Sequence, residues 1–172
     1  MEMEATLTAI TPGLLRLALG LTGNRHDAED LVQEALASLV RFWRTKGPPE
    51  SPAAFACTVV RRQARRSGER SRTLVALDEA GGKSDGNPQP DDSAHHALHL
   101  ARALGALAGL EAGDREAILL VAAGGLKVEE AASVLAISVP AFKMRVSRAR
   151  RRLAAAMETD DGQRTDEQRN AV

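Results

Sequence analysis

Among 172 residues the chain has one cysteine, no tyrosine, one tryptophan and three phenylalanines. A single thiol, Cys57, excludes an intramolecular disulfide and a cysteine-built zinc site; it reads as a small buried hydrophobe. Strands favour aromatic and β-branched residues, whereas Leu- and Ala-rich cores belong to helices. With aromatics at only 2%, the fold class expected is all-α. No apolar run approaches the roughly 18–20 residues that span a bilayer. The stretch Met1–Thr8 carries Glu2 and Glu4 without a basic residue, unlike a secretory signal. A cytoplasmic protein without membrane insertion is therefore expected. Nothing resembles a nucleophile–base pair or a phosphate loop. His95 and His99 stand four apart on a predicted helix but lack a further ligand nearby, so no metal, no cofactor and no catalytic group are expected.

What is present is charge, unevenly placed. The formal net charge is zero, yet Arg61–Arg72 holds six arginines against Glu69 alone. Lys143–Arg152 holds six cations and no acid. Compensating acids gather at Asp78, Glu79, Asp85, Asp91 and Asp92, and again at Asp160, Asp161, Asp166 and Glu167. Two basic segments separated by an acidic one suit a chain that meets a polyanion at two places.

Periodicity divides the chain. A first helix is predicted from Thr11–Pro12, with Leu14, Leu17, Ala18 and Leu21 on one face, and Leu7 and Ile10 in an earlier turn of the same or a separate short helix. Thr22-Gly23-Asn24 stops it. A second is predicted from Asp27 as cap to about Arg44, buried along Ala28, Leu31, Val32, Ala35, Leu39 and Phe42. Gly47-Pro48-Pro49 ends it. A third begins at Ser51–Pro52, apolar up to Val60 and basic beyond. Segment 73–93, with its Gly, Pro and acids, reads as a flexible linker whose reach of about 25 Å lets the flanking units sit apart. Beyond it, Ala97–Leu107 and Asp114–Ala122 predict two more helices. The expected organisation is residues 1–72 and 94–158 as two small helical domains, with 159–172 as a tail without regular structure.

Residues 128–153 have the pattern of a helix-turn-helix. Val128, Ala131, Ala132 and Leu135 predict a short helix, Ala136–Ile137 a turn, and Ser138 the cap of a second helix. On that second helix Phe142, Val146, Ala149 and Leu153 share one face, and cations cover the others. Residues near its start face base edges in such motifs, while later arginines hold phosphate. The reading requires these cations to be free of acids of their own chain.

These segments resemble the extracytoplasmic-function group of sigma-70-type sigma factors of bacterial RNA polymerase. Leu19-Gly20-Leu21-Thr22-Gly23-Asn24, followed by Asp27–Glu34, is similar to the family's region 2. Leu126–Leu153, with Glu129-Glu130-Ala131-Ala132 and Arg148-Ala149-Arg150, is similar to its region 4. The resemblance implies a non-catalytic subunit whose partners are core RNA polymerase, promoter DNA and an anti-sigma factor. It implies that Asp27, Asp30, Leu31, Gln33 and Glu34 meet the polymerase and that Arg61, Arg62, Arg65 and Arg66 face the −10 element. Ser138, Ala141, Lys143, Met144, Arg145 and Arg148 would read the −35 element. Two departures stand out: Phe55 lies near a usual tryptophan, and Ala136 where glycine is common in the turn. A stand-alone helix-turn-helix regulator, or a sigma mimic that sequesters an anti-sigma factor, are the alternative readings.

Overall fold

The protein is described here by a computed structural model covering residues 2–75 and 93–170, with side-chain surroundings for 2–68 and 98–157. Every regular element among these residues is a helix: α1 (Glu2–Thr22), α2 (Arg25–Lys46), α3 (Pro52–Val75), α4 (Ser93–Ala108), α5 (Ala112–Ala122), α6 (Val128–Leu135) and α7 (Val139–Asn170). Most of the expected linker lies outside the described residues, and so do the side-chain surroundings of His95 in α4.

α1 begins at Glu2, earlier than the Thr11–Pro12 signal predicts, and carries Pro12 inside it. Proline in a helix interior costs about 3 kcal/mol through a lost hydrogen bond and a ring clash. Leu7 and Ile10 extend the stripe of Leu14 and Leu17 onto the core, so burial on both sides of Pro12 outweighs that local penalty. The sequence also hid how apolar this helix is. With only Glu2, Glu4 and Arg16 charged, α1 is long and apolar enough to cross a membrane by length and composition. In the fold its apolar edge packs on α2, α3 and α5.

α2 starts at Arg25 because Asn24, not Asp27, is its cap: the Asn24 side chain accepts from the Asp27 backbone N–H at 3.2 Å. Asp27 then sits in the first turn, where its charge favours the helix dipole. Gly47, at φ 84°, closes the helix before the two prolines. Ser51 caps α3, its hydroxyl accepting from the Ala54 N–H at 3.3 Å.

Helices α1–α3 pack mutually, and α5, α6 and α7 do the same. One hydrophobic cluster runs through both groups, from Leu14, Leu17 and Leu39 to Leu119, Leu120 and Phe142. A smaller cluster of Leu110, Ile118 and Ala149 anchors the approach to α5 against α7. The halves do not sit apart as the linker composition suggests: α1 packs on α5 and α3 on α6. The backbones come close there because glycine removes side chains from the contact. A Cβ on Gly20 would lie 2.5 Å from Leu119 Cδ2, and one on Gly13 would lie 3.1 Å from the Ala123 carbonyl oxygen. Cys57, fully buried at this joint, has its thiol pKa pushed up to about 12, first by burial and then by the nearby Glu130 carboxylate.

The α6–turn–α7 unit matches its sequence signature. Ala136 occupies the left-handed region at φ 53°, ψ 43°, a conformation that costs a non-glycine residue roughly 1–2 kcal/mol. α7 continues as one helix to Asn170, past the point where periodicity fades.

Candidate nucleic-acid interface

Two acids on α5 organise the basic surfaces. Asp114 and Glu116 are 1% and 5% exposed, and two residues along a helix rotate about 200°, so they point in opposite directions. Asp114 faces α7: Arg148 donates from Nη2 to its Oδ1 at 3.0 Å, and Arg152 Nη1 lies 4.0 Å from Oδ2. Glu116 faces α3. Arg65 donates from Nε to Oε1 at 2.6 Å and from Nη2 to Oε2 at 3.1 Å. Arg61 donates from Nε to Oε2 at 2.8 Å and from Nη1 to the Val134 carbonyl at 3.0 Å. Planar guanidinium groups suit such forked recognition of carboxylate and phosphate alike.

The expectation that the basic faces stand free of the chain's own acids is therefore corrected for three of the candidate residues. Arg61 and Arg65 are held by Glu116, and Arg148 by Asp114. The reason is burial. A carboxylate taken out of water needs charged donors around it, and arginines supply them. Among the described residues, Arg62 and Arg66 remain exposed on α3 without an acidic partner, as do Lys143, Arg150 and Arg151 on α7.

At the start of α7 the candidates sort themselves. Ser138 is exposed and serves as the cap, its hydroxyl accepting from the Ala141 N–H at 3.3 Å. Lys143 and Met144 are exposed, Met144 at 65%. Ala141 is half-buried. Arg145 lies back over α5, where a Cβ on Gly113 would come within 2.7 Å of its Nη1. The candidates whose side chains stay exposed beyond the cap are thus Lys143 and Met144.

On α2, Asp27, Asp30, Gln33 and Glu34 are all exposed along one flank. Glu34 takes hydrogen bonds from Ser38 at 3.3 Å and Arg41 at 3.1 Å, and Asp30 lies 3.8 Å from His26 Nε2. Leu31, grouped with them from sequence, is 9% exposed and belongs to the core, which corrects its place among surface contacts. The i, i+3, i+4 spacing of Ala28, Leu31, Val32 and Ala35 turns that edge inward.

A second polar link joins the halves beside the main one. The Ser51 hydroxyl donates to Glu130, which also accepts from the Lys127 N–H at 3.0 Å, and these bonds hold the Glu130 pKa below its ordinary value. Glu116 and Asp114 escaped sequence reasoning. Their only signal was two acids within one helix whose remaining inner positions are Ala117, Ile118, Leu119 and Leu120.

No cluster of three or more metal-ligating side chains occurs among the described residues. Two family models match the chain: Sigma-70 region 2 over residues 7–73 and Sigma-70 region 4 over residues 97–153. The chain is 32% identical over 159 residues to the ECF RNA polymerase sigma factor EcfG of Rhodopseudomonas palustris, covering 92% of this chain and 87% of that one. It is 39% identical over 90 residues to the RNA polymerase sigma factor CnrH of Cupriavidus metallidurans, covering 52% of this chain and 47% of that one. The fold superposes on the sigma factor RpoE of Bartonella quintana, solved with the anti-sigma factor NepR, at a TM-score of 0.76 and 27% identity, covering 92% of this chain and 98% of that one. It also superposes on CnrH solved with the cytosolic domain of CnrY, at a TM-score of 0.70 and 23% identity, covering 92% and 88%. That second likeness concerns the fold alone.

Proposed function

This chain belongs to the extracytoplasmic-function group of sigma-70-type RNA polymerase sigma factors, and from that membership we propose how its surfaces divide the work. As a sigma factor it directs transcription. The observation that carries this is the ordered pair of region 2 and region 4 matches, together with one relative that is similar over nearly the whole length.

In this reading the exposed flank Asp27, Asp30, Gln33 and Glu34 docks on core RNA polymerase, with Leu31 acting only from beneath by fixing the helix. Arg62 and Arg66 lie on α3 beside Arg61 and Arg65, and this four-arginine face meets the −10 side of the promoter. Lys143 and Met144 enter the major groove at the −35 element, with Ser138 and Ala141 setting the backbone of the helix start. Arg150 and Arg151 hold phosphate, which fixes register without reading sequence. Arg148 acts by clamping α7 to Asp114. The half division at residues 1–72 and 94–158 follows the two matched regions. The protein contributes no catalytic group, since RNA synthesis belongs to the polymerase, and it works in the cytoplasm where its template lies.

An anti-sigma factor is the proposed inhibitor, because the sigma factor RpoE of Bartonella quintana was captured with such a partner. Run-off transcription tests the reading. Purified core polymerase plus this chain on genomic fragments is expected to yield discrete promoter-specific transcripts absent without it. Tight operator binding with no transcript under any condition would instead favour the stand-alone regulator. Neither transcript nor polymerase binding would favour the sequestering mimic.

A further inference from the structure

The edge of α7 that faces α5 presents Arg145, Arg148 and Arg152, spaced by three and four residues so that they stand in one row. Arg148 and Arg152 turn to the same acid, Asp114, which is buried in the first turn of α5. Its single charge is already matched by theirs. Arg145 is half-buried and, among the described residues, has neither a hydrogen bond nor an ion pair. What it has is space. Its guanidinium covers Gly113, where an added Cβ would stand 2.7 Å from Nη1, 3.2 Å from Cζ and 3.7 Å from Nε. The first of these distances is well inside the roughly 3.5–4.0 Å at which such atoms rest, so any side chain at this position would push the guanidinium away. Gly113 lies inside α5, where the helix itself would favour alanine. The seat for Arg145 is what the glycine explains.

Resting on the promoter-reading assignment of Lys143 and Met144, we infer that Gly113 is a positioning residue for sequence specificity: it seats the Arg145 guanidinium on α5 and so withholds a third reader from the start of α7. Arginine is the side chain best shaped to hold a guanine, through paired hydrogen bonds to O6 and N7. With Arg145 seated, that contact is absent, and the exposed readers are one cation and one thioether. Arg145 directly follows the exposed Met144, so a side chain released from α5 swings toward the same groove. The seat gives Arg145 no acid and no carbonyl acceptor, so leaving it breaks no hydrogen bond. Its shape alone decides where the guanidinium goes. Position 113 thereby sets how many base pairs α7 discriminates without itself touching DNA.

The test uses holoenzyme reconstituted from core polymerase and the full chain, transcribing promoter duplexes altered one base pair at a time. Gly113→Ala adds one methyl group, favours the helix and meets only the movable end of a side chain, so the fold is kept and its denaturation midpoint does not fall. The variant is expected to acquire a preference for guanine, by about tenfold, at one base pair to which the parent is indifferent. Arg145→Ala alone should leave the parent's pattern of discrimination unchanged, and added to Gly113→Ala it should abolish the new preference. A merely structural role for Gly113 would change output from all duplexes alike and create no preference. A Gly113→Ala pattern identical to the parent's would overturn the inference. So would a new preference that survives Arg145→Ala, or a relaxed pattern for Arg145→Ala alone. The two levels fail differently: a parent that discriminates no base pair fells the promoter-reading assignment and this inference with it. A parent that discriminates, beside an unaltered Gly113→Ala, fells the seat alone.

Discussion

Region 4 contains two arginine–carboxylate clamps on one short helix, and they serve different levels of structure. Asp114 binds Arg148 of its own domain, so that clamp orients α7 on α5. Glu116 binds Arg61 and Arg65 of the other domain, so that clamp exists only while the halves touch. The chemistry is the same and the partners differ by half a turn of α5. An ion pair within a domain contributes to one fold, whereas a pair across a joint sets an equilibrium between two arrangements of intact folds. The comparison explains why Arg61, Arg65 and Arg148 are engaged by acids of their own chain while Arg62 and Arg66 are left to solvent.

The packing that underlies both clamps gives the largest expected effect. Phe142 is 1% exposed on the inner face of α7, and Phe142→Ala should cost about 4 kcal/mol of stability in chemical denaturation. Loss confined to α5–α7, with α1–α3 still melting as a unit, would sharpen the division into halves. Next comes Asp114→Asn. Removing one partner of a buried pair is costly, but Arg148 and Arg152 are about half exposed and can turn to water, so about 2 kcal/mol is expected. This change should also weaken duplex binding by disordering α7, whereas Glu116→Gln, which leaves α7 in place and releases Arg61 and Arg65, should not. The same sign for both substitutions would break the comparison between the clamps.

Ser51→Ala removes the α3 cap and the hydrogen bond to Glu130 together, for an expected loss of about 1.5 kcal/mol. Glu130 has a lowered pKa in the fold, so its contribution is present in full above the ordinary carboxylate value. It fades as pH falls through the depressed one. A titration of the Glu130 carboxyl by NMR should show its pKa rise toward 4.5 in the Ser51 variant. Ala136→Gly relieves a left-handed backbone at the turn and should gain about 1 kcal/mol, read as a higher denaturation midpoint. On the binding side, Arg151→Ala should weaken every duplex alike and reduce the slope of log K against log salt by about 0.9, while Lys143→Ala should also relax discrimination between sequences.

How much was legible follows from which forces leave a local trace. The helix-turn-helix showed itself because caps, turn and stripe all lie within one short segment: Ser138 caps, Ala136 turns, and Phe142, Val146 and Ala149 point inward. The start of α2 was misplaced because Asn24 and Asp27 are both good caps, and only geometry selects between them. Pro12 left open whether the turn at Leu7 and Ile10 belongs to the same helix, since the compensation comes from their tertiary burial. The basic faces were visible as charge, but a residue's charge says nothing of whom it faces. Arg61 finds Glu116 across 55 positions of sequence, a pairing no local pattern encodes. Gly20 likewise looked like part of a signature, and only the position of Leu119 gives it a steric role.

The central claim is that the exposed start of α7, at Lys143 and Met144, reads promoter sequence on behalf of RNA polymerase. Run-off transcription with core polymerase and the Lys143→Ala variant, on promoter duplexes altered one base pair at a time, tests it most directly. Relaxed discrimination at one or two positions, with transcription from the parent promoter retained, is the predicted result. Discrimination unchanged at every position would contradict the account.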